Sequence, residues 1–207
     1  MKLGESQKMR KFIVATKNKG KLKEIEEILS GMNLEVISMG QVGINDDIEE
    51  YGSTFEENAL IKAQEVHKHT GELVMADDSG LEVDFLNGAP GIYSSRFAGE
   101  GASDVDRNNK LLGLLKDVPF ENRKARFVCA IAVVLPDGKH FTVRGTCEGY
   151  IGVEPVGANG FGYDPLFFLP EYNKTAAQLE ASKKHEISHR GKALKLMLAE
   201  LRERLVK

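Results

Sequence analysis

Residues 73–96 have the sequence LVMADDSGLEVDFLNGAPGIYSSR, which lies near the middle of the chain. Its apolar start, residues 73–75, is typical of a short buried strand. Asp77 and Asp78 follow almost directly, and adjacent carboxylates at the end of a buried strand need a partner that offsets their charge. A hard cation such as Mg²⁺ would offset it, because this ion takes oxygen ligands. The stretch therefore indicates a candidate metal or catalytic site.

The turn chemistry of the same stretch leaves a second interpretation open. Gly80 predicts a sharp turn, after which an extended pattern resumes at residues 81–83. Because Asp, Ser and Gly all favour turns, the acidic pair could instead belong to a solvated turn. The remainder of the chain has to decide between a site and a turn.

The composition favours one compact α/β domain. The chain has 207 residues, and a net charge of −3 gives no general reason to bind nucleic acid or an acidic membrane surface. No apolar run approaches the roughly 20 residues that a membrane span needs. The two cysteines, Cys129 and Cys147, have no metal-ligand spacing, and we expect free thiols in a reducing cytoplasm.

No secondary structure is predicted for the first ten residues. Residues 1–10 lack the apolar segment of a signal peptide, and we expect a flexible N-terminal extension. We expect residues 11–207 to form a single α/β domain, with or without a small second lobe.

A basic loop between a strand and a helix is the second candidate site. A strand at residues 12–15 and a helix at 22–29 flank it, an arrangement that favours phosphate binding. The P-loop pattern is not matched, since Ala15 and Leu22 replace its first glycine and its Ser or Thr. The alternative is an exposed basic helix start. The loop consists of Thr16, Lys17, Asn18, Lys19, Gly20 and Lys21.

Further predicted elements alternate helices with strands. A capping box, from either Ser53 or Thr54, opens a helix that ends near residue 69. Asp137-Gly138 marks a hairpin turn between two long strands, and a long antiparallel pair inside an αβ chain implies a mixed sheet. The remaining expectations are a strand at 34–39, helices at 104–115 and 175–205, and hairpin strands at 124–135 and 139–150.

Two segments towards the C-terminus carry further candidates. Residues 157–165 have the sequence GANGFGYDP, a pliant loop that presents Phe161, Tyr163 and Asp164. An aromatic face with a carboxylate could hold a purine, and the alternative is an ordinary turn packed on the core. The second segment would ordinarily be a solvated helix face; it contains Lys183, Lys184, His185, Ser188, His189 and Arg190.

Together these segments resemble the inosine triphosphate pyrophosphatase family, whose members are house-cleaning enzymes that hydrolyse deaminated purine nucleoside triphosphates. The resemblance covers residues 11 to about 205 and depends on an ordered set of four motifs. These are Thr16…Asn18…Lys21, Ala76-Asp77-Asp78-Ser79-Gly80-Leu81, Gly160-Phe161-Gly162-Tyr163-Asp164-Pro165 and Ser188-His189-Arg190.

The resemblance implies a mixed, elongated and twisted αβ sheet flanked by helices, with two lobes and a central cleft. It also implies Mg²⁺ dependence, a cytoplasmic homodimer and a purine nucleoside triphosphate (ITP, dITP or XTP) as substrate. Asp78 matches the catalytic acidic residue, which also touches the metal, and Glu50 matches a metal ligand. The positions that match substrate contacts are Thr16, Lys17, Asn18, Lys19, Gly20, Lys21, Lys62, Ser79, Phe161, Gly162, Tyr163, Asp164, Lys184, His189 and Arg190.

The expected chemistry follows from these residue types. Mg²⁺ on Glu50 and Asp78 can bind phosphate oxygens, and Asp78 can serve as general base. Lys21 and Lys62 would offset phosphate charge, and Lys21 is expected to be an exposed loop lysine that contributes little to stability. Asp77 is either a partner of these groups or a further ligand. Two other functions stay open, a non-enzymatic purine-nucleotide sensor and a pyrophosphatase for a modified pyrimidine.

Overall fold

The computed structural model describes residues 10–30, 32 and 34–205. The described residues form one mixed sheet of seven strands, in the spatial order 2-1-3-4-5-6-7. They are β1 (Arg10–Val14), β2 (Leu34–Ser38), β3 (Val74–Val83), β4 (Lys124–Val134), β5 (His140–Ile151), β6 (Phe167–Leu169) and β7 (Lys174–Thr175). β2, β1 and β3 run parallel, and β4 to β7 each run antiparallel to the preceding strand. The predicted mixed sheet is therefore confirmed.

Five α-helices belong to the described part of the chain. They are α1 (Lys19–Leu29), α2 (Phe55–Thr70), α3 (Asp104–Leu114), α4 (Ala181–Ile187) and α5 (His189–Leu205). None of these described helices has both the length and the apolar character that crossing a membrane requires. Residues 1–9 of the predicted N-terminal extension lie outside the described residues, and Arg10 already belongs to β1.

Two helix predictions need correction. α1 begins at Lys19 rather than at residue 22, because the side chain of Asn18 accepts the Lys21 N–H and caps the helix. The predicted helical region at 175–205 is divided, since α4 ends at Ile187 and Ser188 has an extended backbone before α5. The proposed basic loop is therefore partly the first turn of α1.

At one end the sheet lies between two helical layers. One face packs against α1 and α5, with Ile25 and Leu194 in the core. The other face packs against α2 through Ala59. Successive residues of β1, Phe12 and Ile13, point into the two different layers, as the period of a strand requires.

A second core lies at the other end of the long strands. It contains Leu81 of β3, Phe127 of β4 and Phe167 of β6, covered by Leu111 of α3. Because β3, β4 and β5 run through both cores, the two lobes share one sheet. The expected two-lobed architecture is confirmed, and residues 77–79 of β3 lie where one lobe gives way to the other.

The sharp turn predicted at Gly80 is wrong. β3 stays paired with β4 from Val74 to Val83, and Gly80 lies buried within the strand. A side chain at this position would collide with the carbonyl oxygen of Gly91 and the hydroxyl of Ser94. The glycine therefore permits a close approach of the backbone at Gly91, which is a common reason for a glycine inside a strand.

Candidate active site

A cleft of about 310 Å³ opens between the two lobes. Most of the residues predicted from the sequence line it, and Lys19 and Gly20 do not. Gly20 instead lies under the ring of Phe161, where a side chain at position 20 would approach a ring carbon to 3.0 Å. The predicted residues in the lining are Thr16, Lys17, Asn18, Lys21, Glu50, Lys62, Asp78, Ser79, Phe161, Gly162, Tyr163, Asp164, Lys184, His189 and Arg190.

Two carboxylates and one lysine meet at one end of the cleft. Lys62 Nζ on α2 lies 2.8 Å from Glu50 Oε1 and 3.5 Å from Asp78 Oδ1. Burial raises the pKa of the Asp78 carboxyl, against the lowering effect of Lys62 and Lys21. The same carboxylates raise the pKa of Lys62 although its burial acts in the other direction. Asp78 is therefore a stronger base than an exposed aspartate.

The oxygen donors at this end suit a magnesium ion. Among the described residues no group of three or more metal-ligating side chains is assembled. Glu50 and Asp78 nevertheless approach the same ammonium group, so their carboxylates face a common point. Mg²⁺ is commonly held by one or two carboxylates together with substrate phosphates and water. The residues present thus fit this ion once a phosphate supplies the remaining oxygens.

Asp77 has a different environment from its neighbour. It is 1% exposed, and its Oδ2 accepts from Ser79 Oγ at 2.7 Å and lies 3.0 Å from Lys21 Nζ and 3.4 Å from Arg190 Nη2. Burial alone would raise the pKa of Asp77, but Lys21 and Arg190 hold it well below its usual range. Because Asp77 does not line the cleft, its position favours a partner of these two cations over a metal ligand.

The expectation that Lys21 is an exposed loop residue is wrong, because it lies in α1 with its side chain 15% exposed against Asp77. We expect Lys21→Ala to lower the free energy of unfolding by about 1.5–3 kcal/mol, the range for hydrogen bonds to charged groups. Urea unfolding at neutral pH measures this loss. Lys23→Ala removes a solvent-exposed lysine of the same helix and should change stability by less than about 0.5 kcal/mol. Equal stability of the two variants would contradict the prediction.

The other end of the cleft contains a buried network of charges. Lys184 Nζ lies 2.7 Å from Asp164 Oδ2 and 2.8 Å from Glu24 Oε1. Arg190 pairs with the other oxygen of Glu24 and with Asp77. The expectation of a solvated face is therefore wrong for Lys184, His189 and Arg190, which are all buried because acidic partners and the cleft enclose them.

Glu24 was not predicted from the sequence. It bridges Lys184 and Arg190, and these two cations hold its pKa below the usual range although burial opposes this. A signal was present, because Lys21 and Glu24 lie three residues apart and share one helix face. That face could be oriented only once α1 was known to begin at Lys19.

The loop at 157–165 differs in part from its prediction. Phe161 lines the cleft, and its ring lies 5.2 Å from Lys184 Nζ and 5.8 Å from the Arg190 guanidinium carbon. Tyr163 and Asp164 mainly anchor the loop, contrary to the expectation that they are presented. The Tyr163 hydroxyl donates to the Ser94 carbonyl at 2.8 Å, and burial raises the pKa of that phenol. Asp164 Oδ2 accepts from the Phe161 N–H at 2.9 Å.

The start of α3 holds this loop, a second feature that the sequence did not reveal. Asp104 Oδ2 accepts from the Gly162 N–H at 2.7 Å, and Asn108 Nδ2 donates to the Gly162 carbonyl at 3.1 Å. Asp104 also lines the cleft. No local pattern links residue 104 with residue 162, so only the fold shows this contact.

His189 is buried. Its ring stacks on Phe127 with centroids 4.8 Å apart. Burial, with Arg190 and Lys184 nearby, holds its pKa well below that of an exposed histidine. The unfolded chain therefore binds a proton below about pH 6.5 that the folded chain excludes.

This exclusion predicts a loss of stability as pH falls below about 6.5, at up to about 1.4 kcal/mol per pH unit. Urea unfolding at pH 7.5 and 5.5 should show a larger loss for the wild type than for His189→Gln. His140→Gln, at an exposed position, should behave as the wild type does. The same pH dependence in all three proteins would show that His189 does not contribute to it.

Comparison with known proteins gives consistent matches over almost the whole chain. A sequence model of the Ham1 family matches residues 12–200. A dITP/XTP pyrophosphatase of Desulforamulus reducens is 54% identical over 185 residues, which cover 89% of this chain and 92% of that protein. A dITP/XTP pyrophosphatase of Exiguobacterium sibiricum is 53% identical over 191 residues, which cover 92% and 96%.

Solved structures match the fold as well. The Ham1 protein of Staphylococcus aureus superposes with a TM-score of 0.85 at 42% identity, covering 94% of this chain and 100% of that chain. A HAM1 protein from Coxiella burnetii gives a TM-score of 0.85 at 43% identity, with the same coverage.

Proposed function

The chain belongs to the Ham1 family, and we propose that it hydrolyses deaminated purine nucleoside triphosphates to the monophosphate and pyrophosphate. ITP, dITP and XTP are the proposed substrates, in keeping with relatives named dITP/XTP pyrophosphatases. The observation on which the proposal rests is that Asp78, Glu50 and Lys62 meet in a cleft that is also lined by Lys21 and by Asn18, the N-cap residue of α1.

The part of the cleft that contains Lys21 and Lys62 can bind the phosphates. The dipole of α1 favours an anion near its N-terminus, where Asn18 lines the cleft, and Lys21 and Lys62 add positive charge within the same cleft. In the chain without substrate both ammonium groups face carboxylates, so a triphosphate would exchange these partners for phosphate oxygens. Such positioning and charge neutralisation are the main requirements of phosphoryl chemistry.

Asp78 is the proposed general base. It lines the cleft, its pKa is raised by burial, and it can accept a proton from the attacking water. Mg²⁺ held by Glu50 and Asp78 would neutralise phosphate oxygens and lower the pKa of a bound water. Lys62 partly offsets the negative charges of Glu50 and Asp78 before substrate binds.

The network at the other end is the proposed purine pocket. Phe161 offers a ring face for stacking, and Lys184, His189 and Arg190 line the same space. A nitrogen donor there suits the carbonyl at purine position 6 of hypoxanthine and xanthine, whereas adenine places an amino group at this position. We also propose a homodimer located in the cytoplasm, which the family resemblance supports.

Release of pyrophosphate from ITP in the presence of Mg²⁺ tests the proposal directly, with ATP as the comparison substrate. We expect turnover of ITP well above that of ATP and loss of activity in excess chelator. Full turnover in chelator would refute the role of Mg²⁺. Tight ITP binding without pyrophosphate release would instead indicate a nucleotide sensor.

A further inference from the structure

Asn58 of α2 is completely buried and contacts two parts of the site. Its exposure is 0%, and it is neither a proposed metal ligand nor a proposed substrate contact. Its Oδ1 accepts from the Gly52 N–H at 2.8 Å. Its Nδ2 donates to Asp78 Oδ2 at 3.3 Å. One neutral side chain therefore joins the proposed general base to the loop that precedes α2.

The contact with Gly52 fixes which way the amide points. A backbone N–H can only donate, so the atom of Asn58 that faces Gly52 must be the carbonyl oxygen. The opposite atom, which faces Asp78, is consequently the NH₂ group. The orientation follows from chemistry and does not depend on telling oxygen from nitrogen in the side chain.

Gly52 is packed closely against Asn58. A side chain at position 52 would lie 2.7 Å from Asn58 Oδ1 and 2.7 Å from the Cβ of Glu57. Glu50, two residues earlier, reaches Lys62, which lies one helical turn beyond Asn58 on α2. The same face of α2 thus holds both the loop of Glu50 and the carboxylate of Asp78.

The carboxylate of Asp78 has few acceptor positions left. A carboxylate offers about four lone-pair sites. Ser79 N–H at 3.1 Å and Lys62 Nζ at 3.5 Å use Oδ1, and Asn58 uses one side of Oδ2. One acceptor position on Oδ2 therefore stays open. The position that Lys62 occupies on Oδ1 becomes open to a metal ion once Lys62 turns to a phosphate.

We propose that Asn58 is a positioning residue for the hydrolysis, an inference that rests on the proposed function. Its amide fixes the rotation of the Asp78 carboxylate, so that the open side of Oδ2 faces the water whose proton it accepts. Through Gly52 it also keeps the Glu50 loop beside that carboxylate. Asn58 makes no proposed contact with substrate and acts only through Asp78 and Gly52.

Asn58→Asp tests the positioning role, because the new side chain has the same shape and can still accept the Gly52 N–H. It replaces the amide donor to Asp78 by a second carboxyl group, which repels Asp78 when ionised. We expect kcat for ITP to fall at least tenfold while KM stays within about threefold. Thr54→Ala is the matched control, since Thr54 accepts the Glu57 N–H and caps the same helix without contacting Asp78. It should lower the urea midpoint and leave kcat of the folded protein unchanged.

A second measurement does not depend on activity. The double variant Asn58→Asp with Asp78→Asn exchanges donor and acceptor across the same contact. We expect it to unfold at a higher urea concentration than Asn58→Asp alone, with no recovery of turnover. A wild-type kcat for Asn58→Asp, or no recovery of the urea midpoint in the double variant, would overturn the proposal. Absence of pyrophosphate release by the wild type would refute the proposed function instead, and the urea midpoints would still test the contact.

Discussion

Asp78→Asn is expected to lower kcat for ITP by about 10²–10⁴-fold, the usual contribution of a general base. The amide has nearly the same shape, but it cannot accept a proton at neutral pH and is a weaker ligand for a cation. Burial already raises the pKa of Asp78, so the folded chain is less stable when this carboxyl group is ionised than when it is protonated. We therefore expect the free energy of unfolding at pH 7 to stay within about 1 kcal/mol of the wild type.

Asp77→Asn is the matched control, since it makes the same chemical change one residue away. The pKa of Asp77 is lowered by Lys21 and Arg190 despite its burial, so its ionised form stabilises the folded chain. Its replacement should cost about 1.5–3 kcal/mol in urea unfolding at pH 7. A kcat within a few-fold of wild type in Asp78→Asn would rule out Asp78 as the base. Equal losses of stability in Asp78→Asn and Asp77→Asn would contradict the conclusion that only the ionised form of Asp77 stabilises the folded chain.

This contrast between two neighbours shows where sequence reasoning stops. The pattern at residues 73–96 predicted a buried strand and, after it, a functional acidic pair. The strand is buried, but it continues through Asp77 and Asp78 to Val83. The pattern could not separate the two carboxylates, because their surroundings come from α1, α2 and α5, which are distant in sequence. Gly80 was misinterpreted for a similar reason, since the residues that approach it are Gly91 and Ser94.

The basic cluster near the C-terminus illustrates the same limit. A run of Lys, His and Arg is usually solvated, and only the family resemblance assigned Lys184 and Arg190 to a pocket. Their burial requires Glu24 and Asp164, which compensate the charge from other segments. The mixed sheet was easier to predict, because the hairpin at Asp137-Gly138 and the apolar periodicity are local signals.

Arg190→Ala is expected to lower the free energy of unfolding by about 3–5 kcal/mol, which is the cost of breaking a buried ion pair by removing one partner. Arg190 is 2% exposed and serves both Glu24 and Asp77, so its loss leaves two buried carboxylates with fewer cations. Urea unfolding at neutral pH measures the loss. Arg190→Lys keeps the charge but not the planar fork, and it should fall between the wild type and the alanine variant. A loss of less than about 1 kcal/mol in the free energy of unfolding of Arg190→Ala would contradict the conclusion that the ion pairs of Arg190 stabilise the fold.

The same variants test how the base is selected. A donor aimed at the purine 6-carbonyl would bind hypoxanthine and leave the amino group of adenine facing another donor. Removing that donor should lower the ratio of kcat/KM for ITP to that for ATP by about tenfold or more. This ratio does not depend on the amount of folded enzyme, so it can be measured even in the less stable variant Arg190→Ala. Arg190→Lys is the more stable variant for comparison. Equal kcat/KM for both nucleotides in the wild type would refute the selectivity, and an unchanged ratio in both variants would show that Arg190 does not select the base.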